Sequence, residues 1–114
     1  PTMDEDYVRR DFTMNAMYMD EEGEIYDPAG GMEDIRARTV RFIKPPALSV
    51  AEDGLRALRY FRFCAEIFPD EIDEAAWSAC TPLAGEKGAR FDAERARIRA
   101  AAGYGKLKAR GLAI

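Results

Sequence analysis

Asp53, Arg56, Arg59 and Arg62 follow one another at a constant interval of three. On a helix each step of three falls roughly 60° short of a full turn, so these side chains would form one slanted ridge about 13 Å long. That length is of the order of a nucleotide's span from base to terminal phosphate. Leu55, Leu58, Phe61, Ala65 and Phe68 fall largely on the other side and are expected in a core. One reading of the ridge is a solvated basic face with an i,i+3 Asp–Arg pair. The other rests on residue type. Three arginines without a lysine offer planar, always-charged forks suited to phosphates and base edges. An Asp53/Arg56 pair could also discriminate among bases. The carboxylate accepts from an exocyclic amino group, and the guanidinium donates to the neighbouring ring nitrogen or carbonyl. Cytosine and adenine present that amino group. Uracil and guanine present a carbonyl in its place, which would oppose two acceptors. Arg59 and Arg62 would then meet ribose or triphosphate.

A second cluster is Arg9-Arg10-Asp11-Phe12-Thr13-Met14-Asn15-Ala16. It reads either as a salt-bridged strand edge or as a binding element. In the second case Arg10 meets phosphate or ribose, and Asp11 meets a ribose hydroxyl or holds Arg10 in place.

The elements that must position these residues divide into a β-rich first third and a helical remainder. Met3 to Arg10 reads as a short acidic helix or turn. Phe12 to Met19 reads as a mostly buried strand, apolar on both faces, which suggests further strands upstream. The turn at Asp20-Glu21-Glu22-Gly23 and the strand Glu24 to Asp27 complete a hairpin. A short helix from Met32 to Ala37 and a third strand from Thr39 to Ile43 follow. Pro45-Pro46 ends that strand. Ser49, with Glu52 three residues on, would cap one long helix from Val50 to Phe68 as a capping box. Further helices are expected at Ile72 to Cys80 and from Asp92 to about Gly103, separated by a loop from Thr81 to Arg90. Met17, Tyr18, Met19, Phe61 and Trp77 are assigned to the core.

Composition narrows the chemistry. Apolar residues make up 47% and charged residues 33% of 114 residues, so the chain is not compositionally disordered. It contains no histidine, which excludes a His general base or a Ser-His-Asp triad within it. Cys64 and Cys80 are too few for a disulfide framework and read as reduced thiols. No apolar run approaches the roughly 18 residues of a membrane span. No signal peptide is evident, so a cytoplasmic, membrane-free location is expected. The net charge of −4 hides an asymmetry. Residues 1–35 carry a net −9, residues 36–62 a net +5, and residues 95–114 hold six basic residues and no acidic ones. A polyanionic partner would meet the middle and end of the chain.

Three of these segments together resemble one family. Arg9 to Ala16 resembles the RRDFT-x-NA motif of the class II tRNA nucleotidyltransferases and bacterial poly(A) polymerases. Asp27-Pro28-Ala29-Gly30-Gly31 through Asp34 resembles its D-P-x-G-G-x-x-D motif. Glu52-Asp53-Gly54-Leu55-Arg56, continued by Arg59 and Arg62-Phe63, resembles its EDxxR helix. The resemblance covers roughly residues 4–68. It implies an α+β fold: a partial nucleotidyltransferase head, with a β-hairpin plus third strand in an incomplete sheet, followed by a helical neck. Residues 1–48 would be the later part of the head and residues 49–114 the neck, with the nucleotide-selecting helix at 50–68. The implied activity is template-free addition of C or A to tRNA, or of A to RNA tails, from CTP or ATP. By motif match Asp53 and Arg56 would pair with the incoming base, and Arg10, Asp11, Arg59 and Arg62 would contact the nucleotide.

The family's metal-binding DxD follows a glycine pair on an upstream strand, where the carboxylates hold Mg²⁺. This chain contains no such motif. Asp4-Glu5-Asp6 matches by letters only, Gly30-Gly31 reads as a turn, and the acidic residues Asp20 to Glu24 read as a solvated hairpin. No catalytic or metal-binding residue is therefore assigned to the chain, Mg²⁺ would be bound by upstream residues, and the isolated fragment should be inactive. Rival readings are a non-catalytic RNA- or nucleotide-binding module, one subunit of a split enzyme, and a scaffold that contacts no nucleotide. A homodimer through an uncovered sheet edge is left open. After Phe68 the resemblance fades to a faint likeness of Glu94-Arg95-Ala96-Arg97-Ile98 to a neck-helix element.

Overall fold

The computed structural model describes residues 3–114, with side chains described from Glu5 onward. In order, the elements are α1 (Met3–Asp6), β1 (Tyr18–Met19), β2 (Ile25–Tyr26), α2 (Gly31–Arg36), α3 (Pro46–Glu52), α4 (Leu55–Ile67), α5 (Glu74–Cys80), α6 (Ala89–Ala100) and α7 (Tyr104–Ala109). Short 3-10 turns occupy Tyr7–Arg9, Thr13–Asn15 and Thr81–Leu83. The fold is α+β, a small hairpin part followed by packed helices.

The sheet is smaller than the sequence predicts. β1 and β2 form an antiparallel pair with Tyr18 opposite Tyr26 and Met19 opposite Ile25. The strand expected from Phe12 to Met19 is instead a bridge residue, a 3-10 turn and a two-residue strand. Its apolar letters misled because they serve different surroundings. Phe12 and Ala16 are fully buried, Met14, Met17 and Tyr18 are half-buried, and Met19 is 70% exposed. The expected third strand reduces to a single antiparallel bridge between Phe12 and Phe42, flanked by the bonds Thr13 N–H to Arg41 O (3.0 Å) and Ile43 N–H to Asp11 O (3.0 Å).

The D-P-x-G-G-x-x-D segment works as a local brace. The Asp27 carboxylate accepts from the backbone N–H groups of Gly31 (2.7 Å) and Met32 (2.9 Å), which satisfies two donors at the start of α2. Gly30 adopts φ 77°, a conformation that glycine takes without penalty. A Cβ at Gly31 would overlap the Thr13 backbone, so α2 sits directly on the 3-10 turn. The buried Asp34 closes the brace by accepting from the Thr13 hydroxyl (2.6 Å) and from Arg41 (3.1 Å).

The long helix is two helices. α3 begins at Pro46, whose fixed φ and missing N–H suit a first helical position. Ser49 therefore lies inside α3 and does not cap anything, and the capping box with Glu52 does not form. Asp53 is extended (φ −154°, ψ 108°) and breaks the helix. Its Oδ1 accepts from Leu55 N–H at 3.0 Å and starts α4. On α4, Leu55, Leu58, Phe61 and Ala65 are buried as expected, while Phe68 is a half-buried left-handed C-cap.

Phe12 and Phe42 enter the same core as Tyr60, with ring centroids 4.7 Å apart for the Phe pair and 5.5 Å for Phe42 and Tyr60. The hairpin part and the helices thus share one apolar interior. Phe61 and Ile98 are also fully buried, and Phe61 meets the half-buried Trp77 edge-on at 5.2 Å. α5 is capped by Asp73, which accepts from Ala75 N–H (2.9 Å). α6 starts at Ala89, three residues before the expected cap. Asp92 lies inside the helix and its carboxylate accepts from Arg95 (2.6 Å). α6 ends at Ala100, and α7 follows where no element was expected. Gly103 lets α7 approach: its N–H donates to Ala65 O at 2.8 Å, and a Cβ there would overlap the α4 backbone. Among the described residues no helix is long and apolar enough to cross a membrane.

Candidate nucleotide-binding cleft

The hairpin part, the α3–α4 junction and the start of α6 border a cleft of about 420 Å³, lined by Arg10, Asp11, Asn15, Asp53, Leu55, Arg56, Arg59 and Arg90. Five of the six residues singled out from the sequence therefore line one cleft. Each is held by the local structure that carries it.

Arg10 leaves the 3-10 turn after α1 and pairs with Asp6 at 3.1 Å. The Tyr18 hydroxyl donates to the same carboxylate at 2.5 Å. That bond, followed by those from Arg10 and Arg9, holds the Asp6 carboxyl down at about 2. Arg10 also lies 5.4 Å from the Tyr18 ring centroid. Asp11 is buried. Its Oδ1 accepts from Phe12 N–H (2.7 Å) and from the Asn15 amide (3.1 Å), and its Oδ2 lies 2.7 Å from Arg59 Nε. The Arg59 Nε is buried and too poorly aligned with Asp11 to donate a hydrogen bond, so the contact is an ion pair.

Arg56 is the best-anchored cation of the cleft. One terminal nitrogen donates to the Ser49 hydroxyl (3.1 Å), the Ser49 carbonyl (3.3 Å) and Glu52 (3.0 Å). The other donates to the Arg9 carbonyl (2.9 Å). Lys44, the larger influence, and Arg56 together hold the Glu52 carboxyl below its ordinary range. Arg56 therefore ties the Arg9-Arg10 segment to the α3–α4 junction, and its Nε and one terminal N–H remain for a ligand. Asp53 is exposed, with Oδ1 engaged by Leu55 N–H and Oδ2 without a partner among the described residues. A fixed acceptor beside a fixed donor fork can read a base edge, provided the ligand enters the cleft.

Arg62 is elsewhere. It is 7% exposed and donates to Glu94 (2.6 Å) and Glu66 (3.0 Å). Its guanidinium lies 4.4 Å from the Phe63 ring centroid. The helix break at Asp53 also means that the four residues are not one uninterrupted ridge. Arg90 and Asn15 complete the cleft without having been singled out. Asn15 stood in a quoted motif, but Arg90 lies in an Ala/Arg-rich helix whose spacing points nowhere in particular.

The chain is similar to several known proteins. Residues 1–41 match the family described as the poly(A) polymerase head domain. A multifunctional CCA protein of Vibrio campbellii is 48% identical over 66 residues, which is 58% of this chain and 16% of that protein. The crystal structure of the Bacillus stearothermophilus CCA-adding enzyme in complex with CTP superposes with a TM-score of 0.80 at 34% identity. That match covers 92% of this chain and 27% of that one. The chain is thus similar to part of the class II nucleotidyltransferases. The Thermotoga maritima CCA-adding enzyme complexed with tRNA matches with a TM-score of 0.76 at 27% identity, over 96% of this chain and 28% of that one.

The likeness to class II nucleotidyltransferases therefore runs well past Phe68, where the recognisable motifs end. The chain spans only about a sixth of the length of the curated relatives it matches. A divalent cation needs several free oxygen ligands. The cleft offers Asp11, already engaged on both oxygens, and Asp53, among four arginines. That donor set does not fit Mg²⁺. Asp6 is taken up by Arg9, Arg10 and Tyr18, and the Asp4 side chain lies outside the described residues.

Proposed function

We propose that this chain is the nucleotide-selecting part of an RNA 3′-end nucleotidyltransferase that uses CTP and ATP. Residues 1–48 would be the end of its head and residues 49–114 the neck. The observation that carries the reading is the shared cleft: Asp53, whose Oδ2 has no partner among the described residues, and the anchored Arg56, which keeps unused donors, both line it. There the carboxylate accepts the exocyclic amino proton of cytosine or adenine, and the guanidinium donates to the ring nitrogen beside it. A uracil or guanine carbonyl facing Asp53 would leave two acceptors opposed, which a desolvated site penalises heavily.

Arg10 and Arg59 belong on this reading to ribose or phosphate, with Asp11 holding Arg59 and Asn15 bracing Asp11. Arg62 acts through the packing of α4 on α6 and does not touch the nucleotide. The acceptor would be the 3′ end of tRNA or another RNA, approaching the basic middle and end of the chain. Mg²⁺, held by residues outside this chain, would supply activation of the 3′-hydroxyl and charge neutralisation on the departing pyrophosphate. The chain alone would transfer nothing. Two free, buried thiols suit a reducing, cytoplasmic setting.

The test is selectivity in the full-length enzyme. Replacing Asp53 and Arg56 together by alanine should lower the ratio of kcat/KM for CTP over UTP by about a hundredfold or more. An unchanged ratio would show that the base is read elsewhere.

A further inference from the structure

Three of the four arginines lining the cleft have a carboxylate partner within the protein. Arg10 is held by Asp6, Arg56 by Glu52 and Arg59 by Asp11. Arg90 is different. It stands in the first turn of α6, is exposed, lines the same cleft, and has neither an ion-pair nor a hydrogen-bond partner among the described residues. A ligand carrying several negative charges gains little net attraction from a cation already neutralised by a carboxylate, because the pair's fields largely cancel a few ångströms away. Among the four arginines that line the cleft, Arg90 is therefore the one with no carboxylate partner among the described residues. The hairpin part and the α3–α4 junction supply the other walls, so Arg90 faces whatever those walls hold.

We propose that Arg90 binds the phosphate chain of the incoming nucleoside triphosphate. The inference rests on the reading that Asp53 and Arg56 take the base, and it assigns the opposite, anionic end of the same molecule. With base and sugar engaged at the α3–α4 junction and the Arg10 segment, the phosphates extend toward the lining arginine that has no carboxylate partner among the described residues and whose five donors are unused. A guanidinium fork can engage two phosphate oxygens at once, and a single ammonium cannot. The long, exposed side chain can also follow the phosphates as the nucleotide enters. Arg90 touches the nucleotide on this account but reads no base.

Calorimetric titration of the full-length enzyme with cytidine, CMP, CDP, CTP and UTP tests it, using the wild type, Arg90→Ala and Arg90→Lys. The expected result is that Arg90→Ala weakens CTP binding by about tenfold and leaves cytidine unchanged. Arg90→Lys should recover part of the loss, and the deficit should shrink as salt rises. Equal losses for cytidine and CTP would mean that the substitution disturbs the fold or the base pocket, and would overturn the proposal. CTP binding unchanged in Arg90→Ala would also overturn it, as would a loss confined to binding of an RNA oligonucleotide. Failure of the underlying base reading looks different: CTP and UTP would bind alike in every variant. A wild-type enzyme that binds neither CTP nor cytidine would defeat both.

Discussion

Arg59 and Arg62 lie three residues apart on α4, share a residue type and both stack near Phe63, yet they have opposite surroundings. Arg59 turns toward the cleft and meets Asp11 across from the hairpin part. Arg62 turns toward α6, is sealed from solvent, and is held by Glu94 and Glu66. One end of α4 therefore presents cations to the cleft, and the other uses its cation to hold two helices together. A row of arginines is no evidence of a row of ligand contacts until the neighbouring element is known. α6 decides here, because Glu94 is within reach of Arg62 and nothing on α6 neutralises Arg59.

The comparison can be broken most sharply at Arg62. Arg62→Ala leaves the half-buried Glu94 without its partner and should cost about 2 kcal/mol of stability. The check is the urea midpoint, together with nucleotide affinity measured where the variant is folded. The affinity should be unchanged, and a clear loss of affinity at full folding would return Arg62 to the ligand site. Arg59→Ala reverses the pattern. It should cost about 1 kcal/mol of stability, because its partner Asp11 keeps bonds from Phe12 N–H and Asn15. It should nevertheless weaken CTP binding several-fold.

The smallest effect separates the two regions by pH. Asp6, beside the cleft, titrates at about 2, below its ordinary 3.8. The stabilisation it gives is complete above its unfolded value and is lost as pH falls from about 4 toward 2. Cys64 and Cys80, inside the helices, are pushed by burial from 9.0 up to about 12. The folded state keeps these thiols protonated, so stability is complete below pH 9 and declines as pH rises from about 9 toward 12. Denaturant midpoints across both ranges check this. Cys64→Ala and Cys80→Ala together should make the alkaline limb shallower and shift its onset toward pH 10, where the buried Tyr60 phenol, also pushed up by burial, takes over, and should leave the acid limb intact.

Much of the candidate site was legible in the chain itself. Arg10, Asp11, Asp53, Arg56 and Arg59 were found because their types and intervals carry chemistry, and the cleft gathers all five. Arg90 was invisible because nothing near it in sequence marks it. Its place in the cleft comes from where α6 starts, and that depends on how α4 and α6 pack. The fold was legible where a local rule governs, as with Asp73 capping α5 or the Asp27 turn into α2. It was misread where two local rules competed. Ser49 and Glu52 match a capping box, but Pro46 starts the helix three residues sooner, and Asp53 with Gly54 breaks it.

By itself the order of residues determined the chemical inventory: which carboxylates and guanidinium groups exist, at what intervals, and which positions demand glycine. Those follow from side-chain chemistry and backbone sterics, which act over a few residues. Only the tertiary structure decided which charges were already neutralised. Pairing depends on distances between groups far apart in the chain, as between Arg62 and Glu94 or Arg59 and Asp11. Coulomb attraction between such groups is set by separation and burial in space, and a sequence interval specifies neither.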